Sequence, residues 1–155
     1  MTEGVEGSAD SQTVKELVAR LRAAVGPGRD VEGWGTIDLE RAEAALAGDG
    51  NPLTRSIPVV DDVLGAIGRT IPLAPGGKEV VVLLEPSTEG RLAAALARRG
   101  EGVLVTYVLA GPGAPSRARA TGFLLSARGT GPFGNQRLIT GGPRWGPYVV
   151  LVADD

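Results

Sequence analysis

The sequence predicts an α+β domain, and three observations carry that prediction. The stretch from Glu79 to Val108 reads as strand, proline stop, helix, glycine turn, strand. Ser11 to Val25 has the apolar spacing of an amphipathic helix. Much of the rest is short β-branched runs parted by Gly and Pro. At 155 residues the chain is long enough for one well-buried domain and too short for two ordinary ones.

Taken in order, residues 1–10 are small and polar and are expected to form a disordered tail. In the helix that follows, Val14, Leu17, Val18, Leu21 and Val25 share one face, Thr13 and Glu16 have capping-box spacing, and Gly26-Pro27-Gly28 stops it. That face either covers the domain's own surface or forms a dimer interface. Asp30 to Thr36 is a first strand, and Asp38 to Ala47 a short helix opened by an aspartate cap. Gly48 to Pro58 reads as loop. Val59 to Leu73 supplies one strand or two, broken at Gly65 and Gly68, with a hairpin turn at Pro75-Gly76-Gly77.

Val80 to Leu84 is a β-branched run closed by Pro86, which cannot donate to a ladder. Ser87 or Thr88 is placed to cap the next helix, whose Leu92, Leu96 and Ala97 recur at helical spacing. Gly100 and Gly102 end it, and Val103 to Leu109 begin another strand. A helix no longer than Ser116 to Ala120 follows. Phe123 to Ser126, Gln136 to Thr140 and Tyr148 to Val152 are the closing strands.

Composition excludes several functions. Net charge is −2 with both signs scattered, and aromatics are 4% of residues, so a basic stripe and stacking platforms for nucleic acid are both missing. No apolar run approaches the roughly 18 residues that span a bilayer. The acidic N-terminus has no apolar segment of the secretory kind, and a cytoplasmic location is expected. There is no Cys, hence no thiol chemistry. There is also no His, which removes the usual triads and the commonest ligand of transition metals.

Three motifs carry a resemblance. They are Leu83-Leu84-Glu85-Pro86 followed by a small-residue helix and Arg99-Gly100-Glu101-Gly102, Asp30 to Ala42 at the start, and Gly129 to Val152 at the end. Together they resemble the vicinal oxygen chelate superfamily, in its branch with the methylmalonyl-CoA epimerase-like and glyoxalase-like proteins, over about residues 29–153. The resemblance implies two βαβββ modules, about 29–86 and 101–155, joined by a helix over 88–99, forming a curved-sheet cleft within a single domain over 29–155. The helix and turn over 11–28 are then an addition.

The family holds a divalent cation with four inward side chains. By resemblance those places fall near Val31, Val82, Leu104 or Val105, and Val150 or Leu151, or at Glu32 if the first strand shifts by one. Aliphatic side chains bind no metal. No cofactor is therefore expected.

An apolar cleft with a few polar groups remains. The candidate catalytic residues are Glu32, Glu85, Tyr107 and Tyr148, and those for substrate binding are Thr106, Gln136, Arg137 and Trp145. Five have an ordinary alternative: a solvent-facing Arg137, a helix-capping Glu85, core tyrosines at Tyr107 and Tyr148, a packing Trp145. Two phosphate motifs fail. Gly76-Gly77-Lys78 is followed by Glu79 rather than a hydroxyl, and Gly129 to Gly134 precedes a strand.

The expected function is a metal-independent, non-redox rearrangement (cyclisation, epimerisation, isomerisation or elimination) of a largely apolar small metabolite, in secondary metabolism. The alternative is a non-catalytic protein that sequesters such a molecule, in the manner of antibiotic-resistance proteins. Neither a nucleic-acid nor a membrane partner is expected, and a homodimer stays open.

Overall fold

The computed structural model describes residues 2–47, 56–73 and 79–155. Its elements in order are α1 (Thr2–Val25), β1 (Asp30–Gly35), α2 (Leu39–Ala47), β2 (Ile57–Asp61), β3 (Ala66–Pro72), β4 (Val80–Pro86), α3 (Arg91–Arg99), β5 (Gly102–Leu109), α4 (Ala114–Ala120), β6 (Gly129–Gly131), β7 (Gly134–Leu138) and β8 (Tyr148–Val152). The eight strands form one sheet in the order β2-β3-β4-β1-β5-β8-β7-β6.

The order is symmetric about its middle. β1 pairs in parallel with β4, as β5 does with β8, and β1 meets β5 antiparallel at the centre. Each half is thus a βαβββ unit, and the whole is the α+β fold expected. The sheet curls until its edges nearly meet: the Asp62 amide donates to the Thr130 carbonyl at 3.0 Å, and the Thr130 amide to the Asp62 carboxylate at 2.8 Å.

Two apolar layers follow from strand alternation. The inner layer fills the curl with Val31, Val82, Leu84, Val105, Tyr107, Leu138, Val150 and Val152. At the end where β4 leaves and β5 enters, α3 inserts Leu92, Ala95 and Leu96 and closes the curl. The outer layer lies over the second half, where α1 and α4 cover Val108, Ile139, Val149 and Leu151 with Val14, Leu17, Leu21, Val25, Ala114 and Ala118. Each large side chain buried there contributes about 1.5–3 kcal/mol. The N-terminal helix therefore packs on its own chain, tied at its end by Arg22, which reaches the Leu109 carbonyl at 2.8 Å and the Asp30 carboxylate at 2.5 Å.

Several local expectations change. α1 spans Thr2–Val25, which leaves Thr13 and Glu16 in mid-helix instead of at its cap. α3 starts at Arg91, capped by Gly90 with no side-chain bond, instead of at Ser87 or Thr88. Its Leu92 amide is taken by the Leu64 carbonyl. The second strand begins at Ile57, inside the expected loop. Phe123 to Ser126 makes only an isolated bridge, Leu125 to Ile139, and the strand that precedes β7 in its hairpin is β6 instead. The Asp38 cap is present, accepting the Arg41 amide at 3.1 Å. The expected turn at Pro75-Gly76-Gly77 and most of the 48–58 loop lie outside the described residues. Among the described residues no helix is long and apolar enough to cross a membrane.

Candidate functional site

The interior of the curl is largely apolar, and its polar side chains converge chiefly at one point. Asp61 ends β2 on the face shared with Ile57 and Val59, so alternation turns it inward. It is fully buried, as are Tyr107 and Gln136. Tyr107 Oη donates to Asp61 Oδ2 at 2.7 Å, Gln136 Nε2 donates to Asp61 Oδ1 at 2.7 Å, and the Leu64 amide donates to the same Oδ1 at 2.9 Å. Three side chains from β2, β5 and β7 thus converge across the curl. A buried carboxylate is tolerated because its charge is met by donors.

Burial pushes the Tyr107 phenol well above its ordinary value of 10, and the charge of Asp61 with its hydrogen bond pushes the same way. The ring stands edge-on to Phe133 at 5.6 Å between centroids. Glycines make room for this arrangement: a Cβ on Gly33 would meet Val105 and Tyr107, and one on Gly131 would lie 1.9 Å from Gln136 Oε1. Gln136 Oε1 and Thr70 Oγ1 are buried without a hydrogen-bond partner among the described residues. Buried polar atoms are normally paired, so both mark the inner surface as a place to receive donors.

The curl is closed by α3 at one end and opens at the other. Along β2 the inward residues run from exposed Ile57 through half-buried Val59 to buried Asp61. Val80, Leu109 and Phe133 are likewise only partly buried at that end. A cleft of about 410 Å³ lies at the rim, lined by Leu109, Phe133, Asn135 and Val152 among others.

Of the residues expected to form the site, the structure brings Tyr107 and Gln136 together inside. Tyr148 also points inward, but its hydroxyl donates to the Arg91 carbonyl at 3.1 Å beside α3. Burial raises its phenol, opposed by Arg91 and Arg99. Trp145 sits beside the same helix, between the guanidinium groups of Arg98 and Arg144.

The other four fall outside. Glu32 is exposed, and Thr106 lies opposite it on the outer face. Glu85 accepts the Leu39 amide at 3.0 Å and so caps α2 from the outer face. Arg137 is held at Asp155 and the Ser126 carbonyl, away from the interior. Strand parity is the reason: each is an odd number of residues from an inward neighbour. Asp61 was missed, although its two-residue spacing from Val59 and Ile57 was there to be read.

Of the positions at which the resemblance implied a metal, Val31, Val82, Val105 and Val150 are buried in the inner layer, with Leu104 in the same cluster, while Leu151 faces the helices and Glu32 the solvent. None of the buried ones has a donor atom. Asp61 is surrounded by N–H and O–H groups aimed at it, the reverse of what a cation needs. The donor set therefore does not fit a metal ion, and the described residues hold no group of three acidic, His or Cys side chains.

No family model matches the sequence, and no curated protein sequence matches it. Solved structures do match in shape. Methylmalonyl-CoA epimerase from Mycobacterium tuberculosis is 22% identical, with a TM-score of 0.67 over 85% of this chain and 90% of that one. A variant of the Streptomyces coelicolor enzyme in complex with 2-nitronate-propionyl-CoA is 18% identical, TM-score 0.62, over 83% and 96%. A methylmalonyl-CoA epimerase in complex with methylmalonyl-CoA and ammonium is 18% identical, TM-score 0.60, over 81% and 92%. The likeness is one of fold: the chain has the vicinal oxygen chelate fold.

Proposed function

We propose, with that fold as the premise, that the chain is a metal-independent enzyme of the epimerase or isomerase kind, acting on a small, largely apolar carbonyl compound. The substrate enters the curl from its open end. The observation that carries this reading is the convergence of Asp61, Tyr107 and Gln136 on one point in an otherwise apolar interior. In the proposed step the Asp61 carboxylate takes a proton from the carbon beside the substrate carbonyl. Tyr107 Oη and Gln136 Nε2, released from Asp61, donate to the carbonyl oxygen as it gains charge. The enolate then turns within the apolar site, and return of the proton from Asp61 to its other face completes an epimerisation. The apolar walls exclude water, and no metal is asked to polarise the carbonyl.

The test is hydrogen exchange in heavy water with EDTA present, followed by NMR. Methylmalonyl-CoA and smaller α-substituted carbonyl compounds serve as trial substrates. Exchange should persist in EDTA and fall by about 10²–10⁴-fold in Asp61→Asn with binding kept. Full exchange in Asp61→Asn, or exchange only on adding a divalent metal, would overturn the reading.

A second reading is a sequestering protein. It is favoured by the closure of the network on itself, since Asp61 is fully buried with both oxygens engaged. On that reading a compound is bound and recovered without label, and the Asp61 and Tyr107 substitutions change only the dissociation constant.

A further inference from the structure

We propose that a second site, a cleft of about 600 Å³ at the α3 end, binds a phosphate-bearing small molecule through Arg91 and Arg144 beside Trp145. This end is opposite the open mouth, and Asp62, Val63 and Gly65, which follow the buried Asp61, form part of its lining. The chain as a whole is slightly acidic, at −2, yet four arginines gather here: Arg91, Arg98, Arg99 and Arg144. Among the described residues, Arg91 donates to the Val63 carbonyl, and Arg98 and Arg144 make contact only with the Trp145 ring, at 4.3 and 4.8 Å. Arg22, Arg41, Arg69, Arg128 and Arg137 instead have carboxylate partners. The one carboxylate lining the cleft, Asp62, is engaged by the Thr130 amide.

With two guanidinium groups against one carboxylate, the cleft lining is net positive, which favours an anion. The backbone of Trp145 is held in place, because Arg99 Nε donates to its carbonyl at 3.3 Å. Arg98 and Arg144 each place a guanidinium over its ring, a cation–π contact that orders both groups beside the cleft. The start of α3 adds to the same field: Gly90 caps it with no side chain, and its first turn has no acidic residue. Guanidinium donors thus come from Arg91 at the start of α3 and from Arg144 in the turn before Trp145. That spread matches a tetrahedral group with three terminal oxygens better than a planar carboxylate, which one guanidinium satisfies.

Trp145 reports on the site, and the other tryptophan, Trp34, lies on the outer face of β1. In a Trp34→Phe background, pyrophosphate titrated against the fluorescence of Trp145 should give a saturable change. Arg91→Ala and Arg144→Ala should each weaken it by about ten- to a hundred-fold, and added salt should weaken it further. Arg128→Ala, an exposed arginine elsewhere, should leave it unchanged. Both cleft substitutions are at exposed side chains, and an unaltered melting temperature shows that the fold is kept. No saturable change up to about 10 mM, an affinity too weak to matter, would overturn the proposal. So would equal weakening by Arg128→Ala, which would reduce the effect to net charge. Citrate binding as tightly as pyrophosphate would overturn the phosphate assignment.

Discussion

Removing one oxygen from the interior tests the buried network directly. Tyr107→Phe keeps the ring in its edge-on contact with Phe133 and deletes the donor that stands 2.7 Å from Asp61 Oδ2. The other two donors, Gln136 Nε2 and the Leu64 amide, both serve Oδ1, so among the described residues Oδ2 is left buried without a donor. A hydrogen bond to a charged group is worth about 1.5–3 kcal/mol. At about 2–4 °C per kcal/mol for a domain of this length, the melting temperature should fall by about 3–12 °C at neutral pH. Urea melts should show an unchanged slope and a lower midpoint.

The same phenol gives a second readout. Its folded pKa is raised, so above pH 10 the unfolded chain loses a proton that the folded chain keeps, and stability must fall as pH rises past 10. Tyr107→Phe should flatten that fall, leaving the share due to Tyr148, which is raised too. Asp61→Asn should be non-additive with Tyr107→Phe in a double-mutant cycle. A melting shift below about 1 °C, well under what a buried charged hydrogen bond implies, together with additive singles, would mean that these groups do not meet.

Three further outcomes follow from the packing and electrostatics. Gly131→Ala places a Cβ 1.9 Å from Gln136 Oε1 in a fully buried site; it should cost about 1–3 kcal/mol in a urea melt, and Gln136→Ala in the same chain should return part of the loss. Leu21→Ala should cost about 2–5 kcal/mol with a melting temperature independent of protein concentration, because Leu21 packs on its own sheet; dependence on concentration would make α1 an interface between copies. The Glu101 carboxyl is lowered from 4.5 to about 2, chiefly by the Thr36 hydroxyl, then by the Ile37 amide and Arg41. Its contribution is therefore complete above pH 4.5 and lost as pH falls towards 2, so the stability difference from Glu101→Gln should close over that window.

The fold was legible where the signal is local. Val80 to Pro86, the helix that follows, and Val103 to Leu109 each announce themselves by β-branched runs, helical spacing and glycine stops, and they sit within a few residues of where those signals put them. Boundaries slipped where a tertiary partner replaced a local cap. Ser87 and Thr88 are good caps in isolation, yet the chain turns through Gly90 because the Leu64 carbonyl is there to take the Leu92 amide. Phe123 to Ser126 has strand-like residues, but Phe123 is buried under α1 and α4 instead, and only Leu125 reaches a neighbour.

The site was legible only in part, because which side chains meet is decided by curvature. Strand alternation suffices to turn Val31, Tyr107, Gln136 and Asp61 inward, and it also removes Glu32, Glu85, Thr106 and Arg137 from the interior. Parity gives a face and no partner, however. Asp61 and Gln136 are 75 residues apart and stand in strands six places apart in the sheet order, β2 and β7, so nothing in flat pairing joins them. They meet because small residues along the inner wall, Gly33, Gly68, Gly129 and Gly131, let the sheet curl until Asp62 bonds Thr130 across the gap. Loss of side-chain volume at those glycines and gain of a polar knot at Asp61 are thus one event seen from two sides. A substitution that fills the wall should open the knot, whereas one that loosens the knot leaves the wall free to curl. Gly131→Ala and Tyr107→Phe separate these two directions.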